Sequence, residues 1–109
     1  MTISEKIEEM AENLNIPCYF IKRPEENEDC IVYTYTEVPS LIGDNKEYGT
    51  KYTVLFNLYC KENIEDNKKQ LKNALESHGF LKKMILGTIL EKNEMYNTAF
   101  QYIINLKQE

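Results

Sequence analysis

The stretch that decides the fold is residues 30–61, CIVYTYTEVPSLIGDNKEYGTKYTVLFNLYCK. Its first eight residues alternate with a period of two, which is typical of a half-buried β-strand. One face would carry Ile31, Tyr33 and Tyr35, and the other Cys30, Val32, Thr34 and Thr36. The alternation resumes with Tyr52, Val54, Phe56 and Leu58 on one face. We expect the two strands to pair antiparallel, because the polar connection is too short to hold a crossover helix.

The connection itself, from Glu37 to Lys51, is predicted to be a long exposed loop. Gly, Asp and Asn residues, which favour turns, lie at its centre. Exposed loops on a rigid scaffold carry binding contacts more readily than they carry stability. We therefore expect function to reside in this loop.

Upstream of this stretch, the pattern indicates a short amphipathic helix. Thr2 and Glu5 have the spacing of a capping box. The apolar stripe would consist of Ile3, Ile7, Met10 and Leu14. Asn15 and Pro17 are expected to end the helix, and residues 18–21 to form a short strand.

After Cys60 the hydrophobic period changes from two to about 3.6. The stripe of a second helix would consist of Ile64, Leu71, Ala74 and Leu75, with Asn63 and Asp66 near its start and Gly79 after its end. Two further strands are predicted over residues 80–90 and 96–106. The order is α-β-β-β-α-β-β, which predicts one α+β domain over residues 1–109, with two helices packed on a mostly antiparallel sheet.

Composition and charge narrow the classes of function. The 109 residues are 42% hydrophobic and 28% charged, as in ordinary globular domains. The net charge of −5 disfavours binding to nucleic acid. The sequence shows neither a secretory signal nor a run of about 20 apolar residues that could span a membrane. We expect a cytosolic protein.

The search for catalytic or metal-binding motifs yields few candidates. The three cysteines, Cys18, Cys30 and Cys60, form no Cys-x-x-Cys pair, so they are predicted to be buried apolar residues rather than reactive thiols. His78, the one histidine, is expected to interact with a helix carboxyl terminus rather than act as a base. The acidic run Glu25, Glu26, Glu28 and Asp29 lacks calcium-loop spacing and is interpreted as a solvated turn. We predict no enzyme activity, no cofactor and no metal.

Tyrosines are concentrated in or beside the predicted strands. The strand-associated ones are Tyr33, Tyr35, Tyr48, Tyr52, Tyr59, Tyr96 and Tyr102. Tyrosine fits a pleated sheet surface and is also favoured at subunit interfaces. Most are predicted to pack in the core, with one or two exposed at an assembly surface.

At the central loop the chain resembles a known family. The strand Ile31–Tyr35, the segment Gly43-Asp44-Asn45-Lys46-Glu47-Tyr48 and the strand end Asn57-Leu58-Tyr59-Cys60-Lys61 are similar to the small tail-completion or tail-terminator proteins of long-tailed bacteriophages and prophages. The resemblance includes the order of elements and extends over nearly the whole chain.

The resemblance implies a structural protein. Members of this family form a ring, commonly hexameric, that ends the tail tube on the side of the head and presents a surface to the head connector. The expected partners are further copies of the chain, the tail-tube protein and the connector protein. The chain would occupy the host bacterial cytoplasm during assembly and then the virion tail. Within the loop, the residues expected to make these contacts are Asp44, Asn45, Lys46, Glu47 and Tyr48.

An alternative of a different class stays open. The chain could be a stand-alone α+β ligand-binding module or a small enzyme that uses the sheet face opposite the helices. Cys60 and His78 would be the candidate pair for chemistry, although the predicted helix separates them.

Overall fold

The computed structural model describes residues 2–22, 28–43, 46–91 and 94–107, with side chains for all of these except 40–43 and 46–48. Two helices and a six-stranded sheet form an α+β fold, as predicted. The elements are α1 (Ile3–Ala11), β1 (Cys18–Phe20), β2 (Cys30–Gly43), β3 (Lys46–Cys60), α2 (Ile64–Ser77), β4 (Leu81–Ile85), β5 (Ile89–Leu90) and β6 (Tyr96–Lys107).

Local sequence signals account for the start of α1 and for the end of α2. Thr2 and Glu5 form the predicted capping box at the start of α1, with both bonds 3.1 Å long. α2 ends in a Schellman motif, in which Gly79 has φ +88° and the Phe80 N–H donates to the Leu75 carbonyl at 3.0 Å. The predicted end of α1 at Asn15 was wrong, because the helix stops at Ala11. The asparagine side chains that follow Ala11 can hydrogen-bond to nearby backbone groups. They therefore compete with the helical hydrogen bonds and disfavour a further turn of helix.

The sheet has the strand order β1-β2-β3-β6-β4, and β5 extends the β4 side by pairing with β6. All pairs are antiparallel except β1 with β2, which is parallel. The predicted antiparallel pairing of β2 with β3 is confirmed, with Tyr33 opposite Phe56 and Tyr35 opposite Val54. β1 ends one residue earlier than predicted, because Ile21 adopts a left-handed conformation with φ +67°.

The prediction of a long loop over Glu37–Lys51 was wrong. β2 continues to Gly43 and β3 begins at Lys46, so the connection is a long β-hairpin. Pro39, which lacks an N–H, is tolerated because β1 pairs only with Ile31–Tyr33 and leaves this part of β2 at the sheet edge. The pairing register between β2 and β3 shifts twice, between Pro39 and Leu41 and again between Leu41 and Ile42, as expected near a β-bulge.

The single strand predicted over residues 80–90 is two short strands. β4 ends at Ile85 and β5 begins at Ile89, with Gly87 in the break between them. Within the break, Leu86 still donates its N–H to the Ala99 carbonyl at 2.9 Å. The Thr88 and Thr98 hydroxyls are hydrogen-bonded at 2.6 Å. The segment between β4 and β5 is therefore hydrogen-bonded to β6, although it is not a regular strand.

The hydrophobic core lies between the helices and one face of the sheet. It is formed by the apolar stripes of both helices and by one alternating face each of β2, β3 and β6. Its largest fully buried side chains include Tyr102, Phe56, Phe80 and Phe100. Tyr102 also donates a hydrogen bond from its hydroxyl to Glu76 Oε2 at 3.0 Å, which links β6 to α2.

Candidate interaction surfaces

Of the five residues predicted to make partner contacts, the structure describes the backbone of three, at the start of β3. Asp44 and Asn45 lie outside the described residues. Lys46 and Glu47 form the first backbone pairs of β3, opposite Gly43 and Ile42, and Tyr48 follows in the same strand. The side chains of these three residues also lie outside the described part of the chain. Their role in binding stays a prediction.

The hairpin projects beyond the rest of the sheet. The last described pair between β3 and β6 joins Gly49 to Lys107, whereas the pairing of β3 with β2 continues to Lys46. Among the described residues, Lys46 and Glu47 thus pair with β2 alone. A two-stranded hairpin buries little apolar area and adds little stability of its own.

Cys60 and His78, the candidate pair for chemistry, are not brought together. Cys60 ends β3 and is buried, and burial raises the pKa of its thiol. His78 follows the last turn of α2 and donates its backbone N–H to the Ala74 and Leu75 carbonyls at 3.2 Å. A 14-residue helix, roughly 20 Å long, lies between them. This geometry offers no nucleophile and base within hydrogen-bonding reach.

The other predicted chemical candidates are similarly dispersed. Burial raises the pKa of Cys18 to about 12, with a smaller contribution from Cys30, so this thiol is a weak nucleophile at neutral pH. Among the described residues, no cluster of three or more His, Cys, Asp or Glu side chains could hold a metal ion. Of the acidic run, Glu25 and Glu26 lie outside the described residues, and Asp29 Oδ1 accepts the Lys61 N–H at 3.2 Å.

Tyrosines form an aromatic series on the helix side of the sheet. Phe20 packs on Tyr33 and Tyr35 with ring centroids 5.2 and 5.7 Å away, and Tyr35 contacts Tyr52 edge-on at 5.5 Å. Tyr33 and Tyr102 are buried, and the other described tyrosines are half-buried. Phe20 at the end of the series is 49% exposed. The aromatic series thus extends from the core to the surface at β1.

Exposed apolar side chains are concentrated at the two edges of the sheet. Among residues with described side chains, the exposed large hydrophobics are Phe20, Ile21, Val38, Leu81, Met84, Leu86, Ile89 and Leu90. The segment 81–90, which we call the lysine edge because it also contains exposed Lys82 and Lys83, holds five of them. Phe20 and Ile21 lie at the opposite edge. Together with Glu8 and Glu12 they define the glutamate edge.

Each edge is accompanied by a recess. At the glutamate edge, a recess of about 590 Å³ lies between α1 and β1, with an apolar wall and with Glu8, Glu12 and Phe20 among its lining residues. Near the start of α2, a second recess of about 640 Å³ is lined by Ile64, Leu90 and Tyr96, together with Asn63, Glu65, Asp66 and Thr88. Both volumes lie in the range of small-molecule or side-chain binding sites.

Neither edge was predicted from the sequence. Leu81 and Met84 follow an apolar pattern that would equally suit a buried strand. Their exposure, 63% and 49%, depends on β4 being the outermost strand, which is a property of the assembled sheet. The signal that was present is the pair of lysines inside an apolar run, because lysine is common on edge strands.

No helix in the described parts of the chain is long and apolar enough to cross a membrane. In the comparisons with known proteins, no protein-family model matches the chain and no curated protein matches it. The assignment to a family therefore stays a proposal that rests on the resemblance in the sequence.

Proposed function

We propose that the chain is a structural protein of a long-tailed bacteriophage or prophage, which caps the head-proximal end of the tail tube and helps to join tail to head as a ring. The observation that carries this proposal is the concentration of exposed apolar side chains at two opposite edges of one sheet. The order of elements and the sequence resemblance support the same assignment.

The physical demands of a ring agree with this arrangement. A ring subunit needs two different surfaces that complement each other, one for each neighbour. A strand at a sheet edge presents unpaired backbone groups, and exposed apolar residues there favour association with another chain. The projecting hairpin supplies a third surface, suited to the tail tube or the head connector.

The net charge also fits a conduit for DNA. At −5, the subunit repels a passing duplex, whereas a positively charged lining would bind phosphate and slow its passage. The partners in this proposal are other copies of the chain, the tail-tube protein and the connector protein. Assembly would take place in the host bacterial cytoplasm, and the mature protein would reside in the virion tail.

The test combines self-association with tail binding. We expect the average mass in a sedimentation series to rise with protein concentration, and negative-stain images to show a ring at one end of purified tail tubes. The relevant tubes are those encoded beside this gene. A protein that stays monomeric at every concentration and also fails to bind these tubes would contradict the proposal.

A ligand-binding module or small enzyme remains the second candidate, because two recesses of about 590 and 640 Å³ are present. A small-molecule screen by thermal shift, followed by Phe20→Asp for the first recess or Leu90→Asp for the second, would test it, because both side chains line a recess and are exposed. Saturable binding abolished by one of these changes in a folded protein would favour the module. Activity lost in Cys60→Ser or His78→Ala, with the fold retained, would favour the enzyme.

A further inference from the structure

The lysine edge is an uncovered strand with an unusual composition. Leu81, Met84 and Leu86 are 63%, 49% and 42% exposed, and no other described strand pairs with the outer side of β4. Uncovered apolar edges tend to recruit further strands. Lys82 and Lys83 are exposed beside them and form no ion pair with any residue that the structure describes. These charges disfavour pairing between two identical lysine edges, because like charges would face each other.

The glutamate edge has the opposite charge and a matching apolar surface. Glu8 and Glu12 are exposed and border the recess of about 590 Å³ between α1 and β1. Phe20, 49% exposed, lines the recess, and Ile21, which follows it in the chain, is 63% exposed. The described residues place no strand against the outer side of β1. The site would accept an apolar side chain that is flanked by positive charge.

The two edges cannot meet within one molecule, because β1 and β4 are at opposite ends of the strand order. They can meet only between molecules. A contact between two different surfaces is heterologous, so repeated copies would close a ring or extend as a filament.

We propose that the lysine edge of one copy of this chain docks at the glutamate edge of a second copy. An apolar side chain of β4 enters the recess between α1 and β1, while Lys82 and Lys83 face Glu8 and Glu12. This inference rests on the proposed function, since it names the contact by which the ring would form.

Two edge-blocking variants test the head-to-tail character of the contact. Met84→Asp disables the lysine edge, and Phe20→Asp disables the glutamate edge. Each variant alone is expected to sediment as a monomer at a protein concentration of about 1 mM, which is the dissociation constant of a weak contact. An equimolar mixture should form dimers and nothing larger, because each molecule retains one intact edge. Either variant assembling alone as the unmodified protein does would overturn the inference.

Charge-reversed variants test the pairing of lysines with glutamates. Lys82→Glu with Lys83→Glu, or Glu8→Lys with Glu12→Lys, should weaken self-association about tenfold or more. The chain that carries all four changes should regain it, because the charges are exchanged between the edges. Lys51→Glu with Lys61→Glu is the matched control, since both lysines are exposed in or directly after the central strand β3 and the change in net charge is the same. Circular dichroism confirms folding of every variant.

The outcomes separate this inference from the proposed function. If the unmodified protein forms rings and the edge variants form them equally well, the contact is wrong and the proposed function stands. If the unmodified protein stays monomeric at about 1 mM and caps no tail tubes, both fail. If it caps tubes while the control double variant is as impaired as the edge variants, net charge rather than edge pairing governs assembly, and the inference is overturned.

Discussion

At the scale of single residues, backbone strain occurs at the ends of elements. Ile21, Asn63 and Glu94 have φ values of +67°, +56° and +61°, in the region that residues other than glycine rarely adopt. Ile21 is the most costly of the three because its side chain is β-branched. The Lys22 N–H donates to the Phe20 carbonyl at 2.7 Å across Ile21, so the residue is the centre of a tight γ-turn.

Replacing Ile21 with glycine should therefore stabilise the monomer. Relief of the left-handed conformation contributes about 1–2 kcal/mol, and the greater entropy of the unfolded chain offsets about 0.4–1 kcal/mol of it. We expect a net gain of about 0.5–1 kcal/mol in the free energy of unfolding, measured by urea denaturation at low protein concentration. Glu94→Gly should give a similar gain, whereas Lys22→Gly, where φ is not positive, should destabilise. Equal effects of all three changes would contradict this reasoning.

The buried Cys18 thiol predicts a loss of stability at alkaline pH. Its pKa rises from an ordinary 9.0 to about 12, chiefly through burial, so the folded chain keeps a proton that the unfolded chain releases above pH 9. The stabilisation is complete below pH 9 and is lost as the pH rises toward 12. When the pH is raised from 8 to 10, the free energy of unfolding of Cys18→Ala should fall by about 1 kcal/mol less than that of the unmodified chain.

The measurement is urea denaturation of both proteins at a series of pH values. Burial also raises the pKa values of Tyr33, Tyr52 and Cys60, but these groups are common to both chains, and the difference in slope isolates Cys18. Parallel stability curves for the two proteins would show that this thiol does not titrate as described.

At the scale of elements, periodicity predicted most of what the structure contains. Both helices and the buried faces of β2, β3 and β6 follow from apolar spacing, because burial on one side imposes that spacing directly. The extent of the hairpin did not follow. Its outer part, around Pro39 and Gly43, has turn-forming composition, and only the pairing of β2 with β3 extends the strands through it.

The candidate interaction surfaces were less predictable than the fold. The residues assigned to a loop, from Asp44 to Tyr48, were chosen for turn composition, which indicates exposure but not a partner. The two sheet edges were not recognised, because the exposure of Phe20 or Met84 depends on which strands lie outermost. That order is set by long-range pairing, to which a local pattern is insensitive.

The contact between α2 and β6 gives a prediction at this scale. Tyr102 is fully buried, and its hydroxyl reaches Glu76 Oε2 at the surface of the helix. Tyr102→Phe should lower the free energy of unfolding by about 1 kcal/mol, because the lost bond involves a charged acceptor that regains water. Glu76→Gln keeps an acceptor oxygen and should cost less. Urea denaturation of Tyr102→Phe, Glu76→Ala and the variant with both changes measures the coupling, because each single change removes the bond, and additive effects would mean that the bond contributes nothing.

At the scale of the whole molecule, the core reaches the surface at one edge of the sheet. Buried Ile7 and Tyr33 belong to the core and also line the recess at the glutamate edge, whereas Leu81 and Met84 at the other edge are exposed. The Cα positions span 52 × 24 × 23 Å, an elongated shape for 109 residues. Such a shape exposes more edge per residue than a compact one, which suits a subunit that is completed by its neighbours.

The last prediction concerns the hairpin tip. Replacing Asp44–Tyr48 with a short Gly/Ser linker removes the pairs of Lys46 and Glu47 with β2, and it leaves the described pairing of β3 with β6 intact. The melting temperature should therefore stay nearly unchanged, since a two-stranded extension contributes little stability. Joining of tails to heads should be impaired, as scored by electron microscopy of lysates from a complemented deletion.

Three outcomes of this replacement lead to different conclusions. A variant that unfolds would show that this end of the hairpin contributes to the stability of the fold and would contradict the prediction. A variant that assembles and complements normally would remove the tip from the interface. A variant that still forms rings but no longer joins heads would assign the tip to the connector or the tail tube, because self-association through the lysine and glutamate edges does not require it.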